Sequence, residues 1–432
     1  MIRKAFYAEQ IYFEGKIHKD KFLLVDGERI RGVSDHADEE GVNGYEVTHF
    51  HNSVILPGLI NTHTHLPMGF FRGMADDLPL MEWLQKHIWP AEGKWLSEEF
   101  VMAATELAAI EMIKSGTTAS CDMYFLSDTV ASAIKQSGLK AVIGVGVLDF
   151  PTKFGNSADD YISKASDLFL KYKGDRQISI SLCPHAPYTV NPDNYTKCVE
   201  FCGKHDILLH THLAEAANER PDAIEKYGKS TIQIMNDTGA FDLNKNMFAH
   251  CVHLTEDDIA LMGEKKVNVS HCLQSNMKLA NGFAPVKQML DAGVNVSIGT
   301  DGAASNNDLD MISEMNSVAL VHKGVTCDAT ALSAETVLQM ATSGAAKGLG
   351  LSKTGELKRG NLADFIVVSF DEPHMTPVYN PISHLVYSAK SSDVTHTYVN
   401  GHCLMADRTI KTLNEEEIKD KARHWAEKII KG

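Results

Sequence analysis

The sequence predicts an α/β protein: a (β/α)8 barrel joined to a small β-sandwich built from both ends of the chain. Three observations carry this expectation. Apolar, strand-like runs alternate with amphipathic helical stretches through the middle of the chain. Short hairpin-like segments open the chain and return near its end. Histidine and aspartate residues recur at the carboxyl ends of the central runs, the face where barrel enzymes gather their chemistry.

The opening segments AEQIYFEGK, KFLLVDGERIRGVS and YEVTHFHN read as short strands, with Glu14-Gly15 and Asp26-Gly27 suited to hairpin turns. The same texture returns in GELKRGNLADFIVVSF and VTHTYVNGHCLMADRTI, so residues 1–55 and 356–432 are expected to form one sandwich around a barrel of residues 56–355. Expected barrel strands are VILPGLINTHTH, GTTASCDMY, KAVIGVGVL, QISISLCPH, ILLHTHLAE, MFAHCVHL, VNVSHC and VNVSIGTDG. Helices are expected over Glu98 to Lys114, Ala158 to Lys171 and Thr255 to Met262, with a charged C-terminal helix from Asn414 to Lys431. The alternation alone also fits a doubly wound open sheet. No G-x-G-x-x-G follows a strand, so nothing points to a dinucleotide.

Composition narrows the function. The chain has 432 residues, 44% hydrophobic and 22% charged, with a formal net charge of -15. It has no block of lysines or arginines, which argues against nucleic acid or an anionic membrane as partner. No apolar run approaches the roughly 20 residues that span a bilayer, and the N-terminus lacks a signal-peptide core, so a cytoplasmic protein is expected. The eight cysteines include no C-x-x-C pair. Cys183, Cys251 and Cys272 lie in strand-like runs and Cys198 and Cys202 sit one helical turn apart, as buried, reduced thiols would.

The chemistry-bearing residues fall in one place on that barrel. In His63-Thr64-His65, residues i and i+2 of a strand point the same way, so one metal ion can take both imidazoles. His185 follows the fourth strand, His212 ends the fifth, His250 the sixth, His271 the seventh and Asp301 the eighth. His63, His65, His212 and Asp301 form an N/O ligand set suited to zinc, with ferrous iron the alternative. A water in the remaining position has its pKa drawn towards about 7. Asp301 can also hold or accept a proton of that water. Glu215, three residues after His212, is placed to shuttle a proton, and His250 to stabilise developing charge. A lone strand-end histidine is more often structural, which fits His51, His253 and His271. QISISLCPHAPYTV offers no bridging Lys, Asp or Glu, so one metal per subunit is expected. The G-x-S-x-G nucleophile elbow, H-E-x-x-H and the H-x-E with P-C-x-x-C pattern are all missing.

With PGLINTHTH, HTHLAE, HCVH and GTDGAASNN, the chain resembles the amidohydrolase superfamily. Within it the likeness, nearly end to end, is to the 5-methylthioadenosine/S-adenosylhomocysteine deaminases, through LPMGFFRGMADDLPLMEWLQKHIWPAE, SLCPHAPYTV and HCLQSNMKLANGFAPV. The resemblance implies a hydrolase acting on C–N bonds of cyclic amidines, with His63, His65, His212 and Asp301 as metal ligands. It implies that Glu92 and His185 contact the ribose or purine of a nucleoside, that Glu215 protonates the ring, and that Asp301 touches the attacking water. Trp83 and Trp89 could wall an aromatic substrate, and Phe70, Arg72 and Met74 belong to a lid-like segment. Runners-up are another heterocycle on the same scaffold (triazine, guanine or a pyrimidine) and, more remotely, a non-catalytic assembly protein. The chain could form a homo-oligomer. Two departures stand out. GVGVLDFPTKF lacks the arginine many members carry after the third strand, and Leu273 replaces a common proline.

Overall fold

The computed structural model describes residues 2–35 and 44–432; the expected N-terminal sandwich segment therefore includes residues outside those described. The strands are β1 (Arg3–Phe13), β2 (Lys16–Asp26), β3 (Arg29–Asp35), β4 (Glu46–His49) and β5 (Ser53–Pro57) at the start. The central strands are β6 (Leu59–Thr64), β7 (Thr117–Tyr124), β8 (Lys140–Val147), β9 (Ile178–Pro184), β10 (Leu208–Leu213), β11 (Asn246–His250), β12 (Asn268–His271) and β13 (Asn295–Ile298). The last four are β14 (Phe365–Ser369), β15 (Val394–Val399), β16 (His402–Ala406) and β17 (Thr409–Ile410).

β6 to β13 form an eight-stranded sheet in sequence order, all its ladders parallel. It closes as a barrel. The Asp301 N–H donates to His63 O at 2.9 Å, and the Asn61 amide spans the seam, accepting the Thr300 N–H at 3.0 Å and donating to its hydroxyl at 2.8 Å. The expectation of a barrel over an open sheet is thereby met.

The two ends of the chain meet in a nine-stranded mixed sheet, where β14 pairs antiparallel with β5. That sheet curls on itself: Phe6 of β1 meets Tyr398 of β15 at 5.0 Å between ring centroids, although two strands lie between them. Its core of Phe6, Leu23, Ile55, Phe365 and Val367 is separate from the barrel's. The β1–β2 hairpin turns at Glu14-Gly15 with φ of 48° and 75°, as the dipeptide suggested.

One expected element divides. VILPGLINTHTH is not a single barrel strand: Ser53–Pro57 belongs to the terminal sheet and Leu59–Thr64 to the barrel. Gly58 makes the break, lying so close to Thr118 that a Cβ would come within 2.2 Å of it, and its N–H donates to Asp364 O at 3.1 Å. Elsewhere the helices fall close to expectation, at Glu98–Lys114, Ala158–Tyr172, Glu256–Glu264 and Glu415–Lys431. Thr255 and Asn414 cap the last two with their side chains. Six cysteines are buried, but Cys327, at the end of the helix Met311–Thr326, is exposed, and Cys403, on β16, is half-buried against the terminal sheet's core. Among the described residues no helix is long and apolar enough to cross a membrane.

Candidate active site

The carboxyl ends of the barrel strands carry a convergent cluster of imidazoles. His63 and His65 reach it from β6, helped by a shift in the β6–β7 register between Asn61 and Thr64. His63 Nε2 and His65 Nε2 lie 3.5 and 3.3 Å from Asp301 Oδ1, and His212 Nε2 lies 3.3 Å from His65 Nε2. Donor atoms of His63, His65 and Asp301 all fall within 4.8 Å of one another, as do those of His63, His212 and His250. Several of these residues sit in a conformation L-amino acids rarely adopt: φ is 50° at Ala214, 72° at His250 and 67° at Asp301. The strand ends turn sharply there, which re-aims the side chains into the mouth.

The hydrogen bonds fix which ring nitrogen faces inward. His65 Nδ1 donates to the Met123 carbonyl and His212 Nδ1 to the His185 carbonyl, the latter at 2.7 Å. His63 Nδ1 meets His210 Nε2 at 3.0 Å, and His210 Nδ1 lies 3.3 Å from Cys121 Sγ. The three Nε2 atoms are left to converge, and His63 Nε2 is fully buried with no hydrogen-bond partner. A buried, unpartnered ring nitrogen beside two more and a carboxylate is the donor set a divalent ion takes. Burial lowers His63 to about 4. Burial also disfavours the His65 cation, yet hydrogen bonding to Asp301 outweighs it and raises His65 to about 9. Against the upward push of burial, His63 and His65 hold Asp301 well below the usual carboxylate range. Asp301 Oδ2 accepts from Ser275 at 2.6 Å and Ser305 at 2.9 Å.

Glu215 lies beside the cluster, its Oε2 3.7 Å from His250 Nε2. Asn281 Nδ2 donates to its Oε1 at 3.0 Å. Burial pushes its carboxyl up to about 7. Its backbone is held by Glu219, whose carboxylate accepts the N–H groups of Ala214, Glu215 and Ala216 at 2.8 to 2.9 Å. His250 Nδ1 donates to Asn276 Oδ1 at 2.8 Å, turning Nε2 toward the cavity. At His185, Nδ1 lies 2.9 Å from the Thr189 hydroxyl, which itself donates to Ala186 O. His185 Nδ1 is therefore the donor and Nε2 keeps its lone pair, and burial lowers this ring to about 3. Glu92 is buried, not exposed as a glutamate beside a glycine commonly is; Tyr124 donates to it at 2.7 Å, and burial raises it to about 7.

A cavity of ≈ 310 Å³ opens over these groups, lined by His65, His185, His212, His250, Glu92, Glu215 and Asp301, with Trp83 and Trp89 in its wall. The structure thus brings every candidate site residue together, His63 lying just beneath the floor. Of the lid-like segment, Phe70 packs edge-on against Phe100 at 5.2 Å and Arg72 pairs with Glu111, so these two side chains pack against the helix Glu98–Lys114 and do not line the cavity. His271 meets His322 at 2.9 Å behind the barrel wall, a structural pairing. Residues the sequence did not single out are His210, Tyr124, Glu219, Asn276 and Asn281. Only His210 carried a signal, the repetition of His-Thr-His at 210–212.

An amidohydrolase family model matches residues 54–404, most of the chain. The chain belongs to the amidohydrolase family. Among its relatives, a 5-methylthioadenosine/S-adenosylhomocysteine deaminase of Syntrophobacter fumaroxidans is 48% identical over 87% of this chain and 86% of its own length. A 5'-deoxyadenosine deaminase of Methanosarcina mazei is 45% identical over 88% of this amidohydrolase and 87% of its own. An adenosine deaminase of Xanthomonas campestris with bound zinc superposes with a TM-score of 0.95 at 36% identity, over 100% of this chain and 99% of that one. An atrazine chlorohydrolase of Arthrobacter aurescens shares the fold with a TM-score of 0.92 at 21% identity, over 99% and 100%.

Proposed function

We propose that this amidohydrolase hydrolytically deaminates an adenosine-type nucleoside to the inosine analogue and ammonia. The observation that carries this reading is Glu215, protonatable near neutrality, next to the imidazole–carboxylate cluster and at the head of an aromatic-walled cavity. The relatives, deaminases of 5'-substituted adenosines, support it.

His63, His65, His212 and Asp301 would hold one divalent ion, zinc as in the Xanthomonas structure, with ferrous iron the alternative. When bound, that ion supplies an acidified water as nucleophile. The protein's groups do the rest. Glu215 carries a proton on its free oxygen while Asn281 holds the other, and gives that proton to N1 as oxygen adds to C6. Asp301 takes the proton of the incoming oxygen, while His250 Nε2, an acceptor because Nδ1 donates to Asn276, receives that oxygen's hydrogen bond and orients it. The proton reaches the exocyclic nitrogen, the C6–N bond breaks, and ammonia leaves with a C6 carbonyl in its place. His185 Nε2, fixed as an acceptor by Thr189, and the Glu92 carboxylate receive N–H or O–H groups of the base and ribose.

Turnover read by ultraviolet absorbance tests this. The zinc-loaded protein should move adenine-type absorbance to hypoxanthine-type with 5'-substituted adenosines and leave a chlorotriazine untouched. Turnover of the triazine alone would transfer the same machinery to a different leaving group.

A further inference from the structure

Away from the imidazoles the cavity changes character. Ring contacts lead outward: His65 to Tyr124 at 6.4 Å, Tyr124 to Phe125 at 5.7 Å, and Phe125 stacked on Phe154 at 4.8 Å. Glu92, bound by the Tyr124 hydroxyl, marks the middle of this path and is the last carboxylate along it. The loop after β8 supplies Leu148, Phe150 and Phe154 to the cavity wall, which Trp83 and Leu84 also line. Lys153 is the one Lys or Arg among the described lining residues; it is exposed at the rim and makes no ion pair.

Resting on the nucleoside reading above, we propose that this outer end takes a small, uncharged 5' substituent, methylthio or hydrogen, in preference to a zwitterionic amino-acid tail. Such a tail brings an ammonium and a carboxylate together. Among these rings the charged neighbours are Glu92, already engaged by the Tyr124 hydroxyl, and Lys153, exposed at the rim, so both ends of the tail would be stripped of water with little in replacement. A thioether or methyl group, by contrast, gains apolar contact there. The absence of an arginine from GVGVLDFPTKF belongs to the same design. Gly146 lines the cavity where a Cβ would meet nothing within 4 Å, so the chain has room for a side chain there and places none.

The test compares kcat/KM for 5'-methylthioadenosine, 5'-deoxyadenosine and S-adenosylhomocysteine, in the zinc-loaded wild type and in Gly146→Arg. The first two should exceed the third by about tenfold or more, as a buried polar group left unpaired requires. Gly146→Arg should shift the ratio toward S-adenosylhomocysteine. Equal or better turnover of S-adenosylhomocysteine by the wild type overturns the proposal, as does a loss confined to that substrate in Lys153→Ala. An unchanged ratio in folded Gly146→Arg overturns it too; if that variant does not fold, the wild-type ratio decides alone. Binding read from Trp83 and Trp89 fluorescence separates the two levels. Neither turnover nor binding with any of the three removes the nucleoside reading itself, whereas indiscriminate turnover removes only the substituent pocket.

Discussion

The chain uses His-Thr-His twice, at residues 63–65 and 210–212, and the two copies do different work. On β6 both histidines send Nε2 into the cluster with Asp301. On β10 only His212 arrives there, while His210 stops one residue pair short and meets His63 at Nδ1. The same three letters send two imidazoles into the cluster in one copy, and one imidazole with its support in the other. Depth in the barrel decides the difference. Because alternate residues face inward, the copy that starts deeper leaves its first histidine beneath the cluster, where it holds the tautomer of a neighbour.

Breaking the upper tier should have the largest effect. His63→Ala or His212→Ala should strip the bound metal on dialysis and lower turnover by four orders of magnitude or more, on the order of 6 kcal/mol of barrier. Metal content by elemental analysis, beside kcat/KM, checks this. Glu215→Gln separates holding the ion from moving the proton: metal content should stay at wild-type level while kcat falls by about 10² to 10⁴. Unaltered kcat would take Glu215 out of the proton transfer.

The lower tier should respond less. His210→Ala should weaken metal affinity by about 10- to 100-fold in chelator competition. His210→Gln, whose side-chain carbonyl can accept from His63 Nδ1, should recover much of that loss. Equal affinities for wild type and His210→Ala would mean His210 only fills space. The smallest effect concerns a buried carboxyl outside both copies. Glu314 accepts the Gln274 N–H at 3.1 Å, and burial pushes it up to about 8. Folded, it keeps its proton above the pH at which the unfolded chain loses it. Its contribution is therefore fully present below the ordinary carboxyl value of 4.5 and is lost as pH rises through about 8. Urea midpoints near pH 5 and pH 8 should show wild type losing on the order of 2 kcal/mol more than Glu314→Gln. Parallel losses would mean Glu314 is already ionised when folded.

Legibility followed the same division. Strand-end residues with a periodic signal could be placed from sequence, because a period of two and the barrel's polarity together say where a side chain emerges. Glu219, Asn276 and Asn281 were not legible, since Glu219 holds loop backbone and the two asparagines reach the side chains of His250 and Glu215, contacts that tertiary packing alone creates. Glu92 was placed at the site by the family resemblance alone, since nothing in its local sequence says that the helix Trp89–Trp95 turns it onto Tyr124. The break at Gly58 was hidden for a related reason. An apolar run does not say which of two sheets each half joins.

The barrel seam has one more consequence. His63 and Asp301 stand on its two sides, joined by a backbone hydrogen bond, and their neighbours Asn61 and Thr300 pair across it from 239 positions apart. On the ribosome, the first histidines emerge long before their carboxylate partner is made. No nascent chain can complete the centre until the eighth strand has been synthesised and docked against the first. The cluster of imidazoles and carboxylate is thus completed only at the end of barrel assembly, and an interrupted chain carries the imidazoles without Asp301.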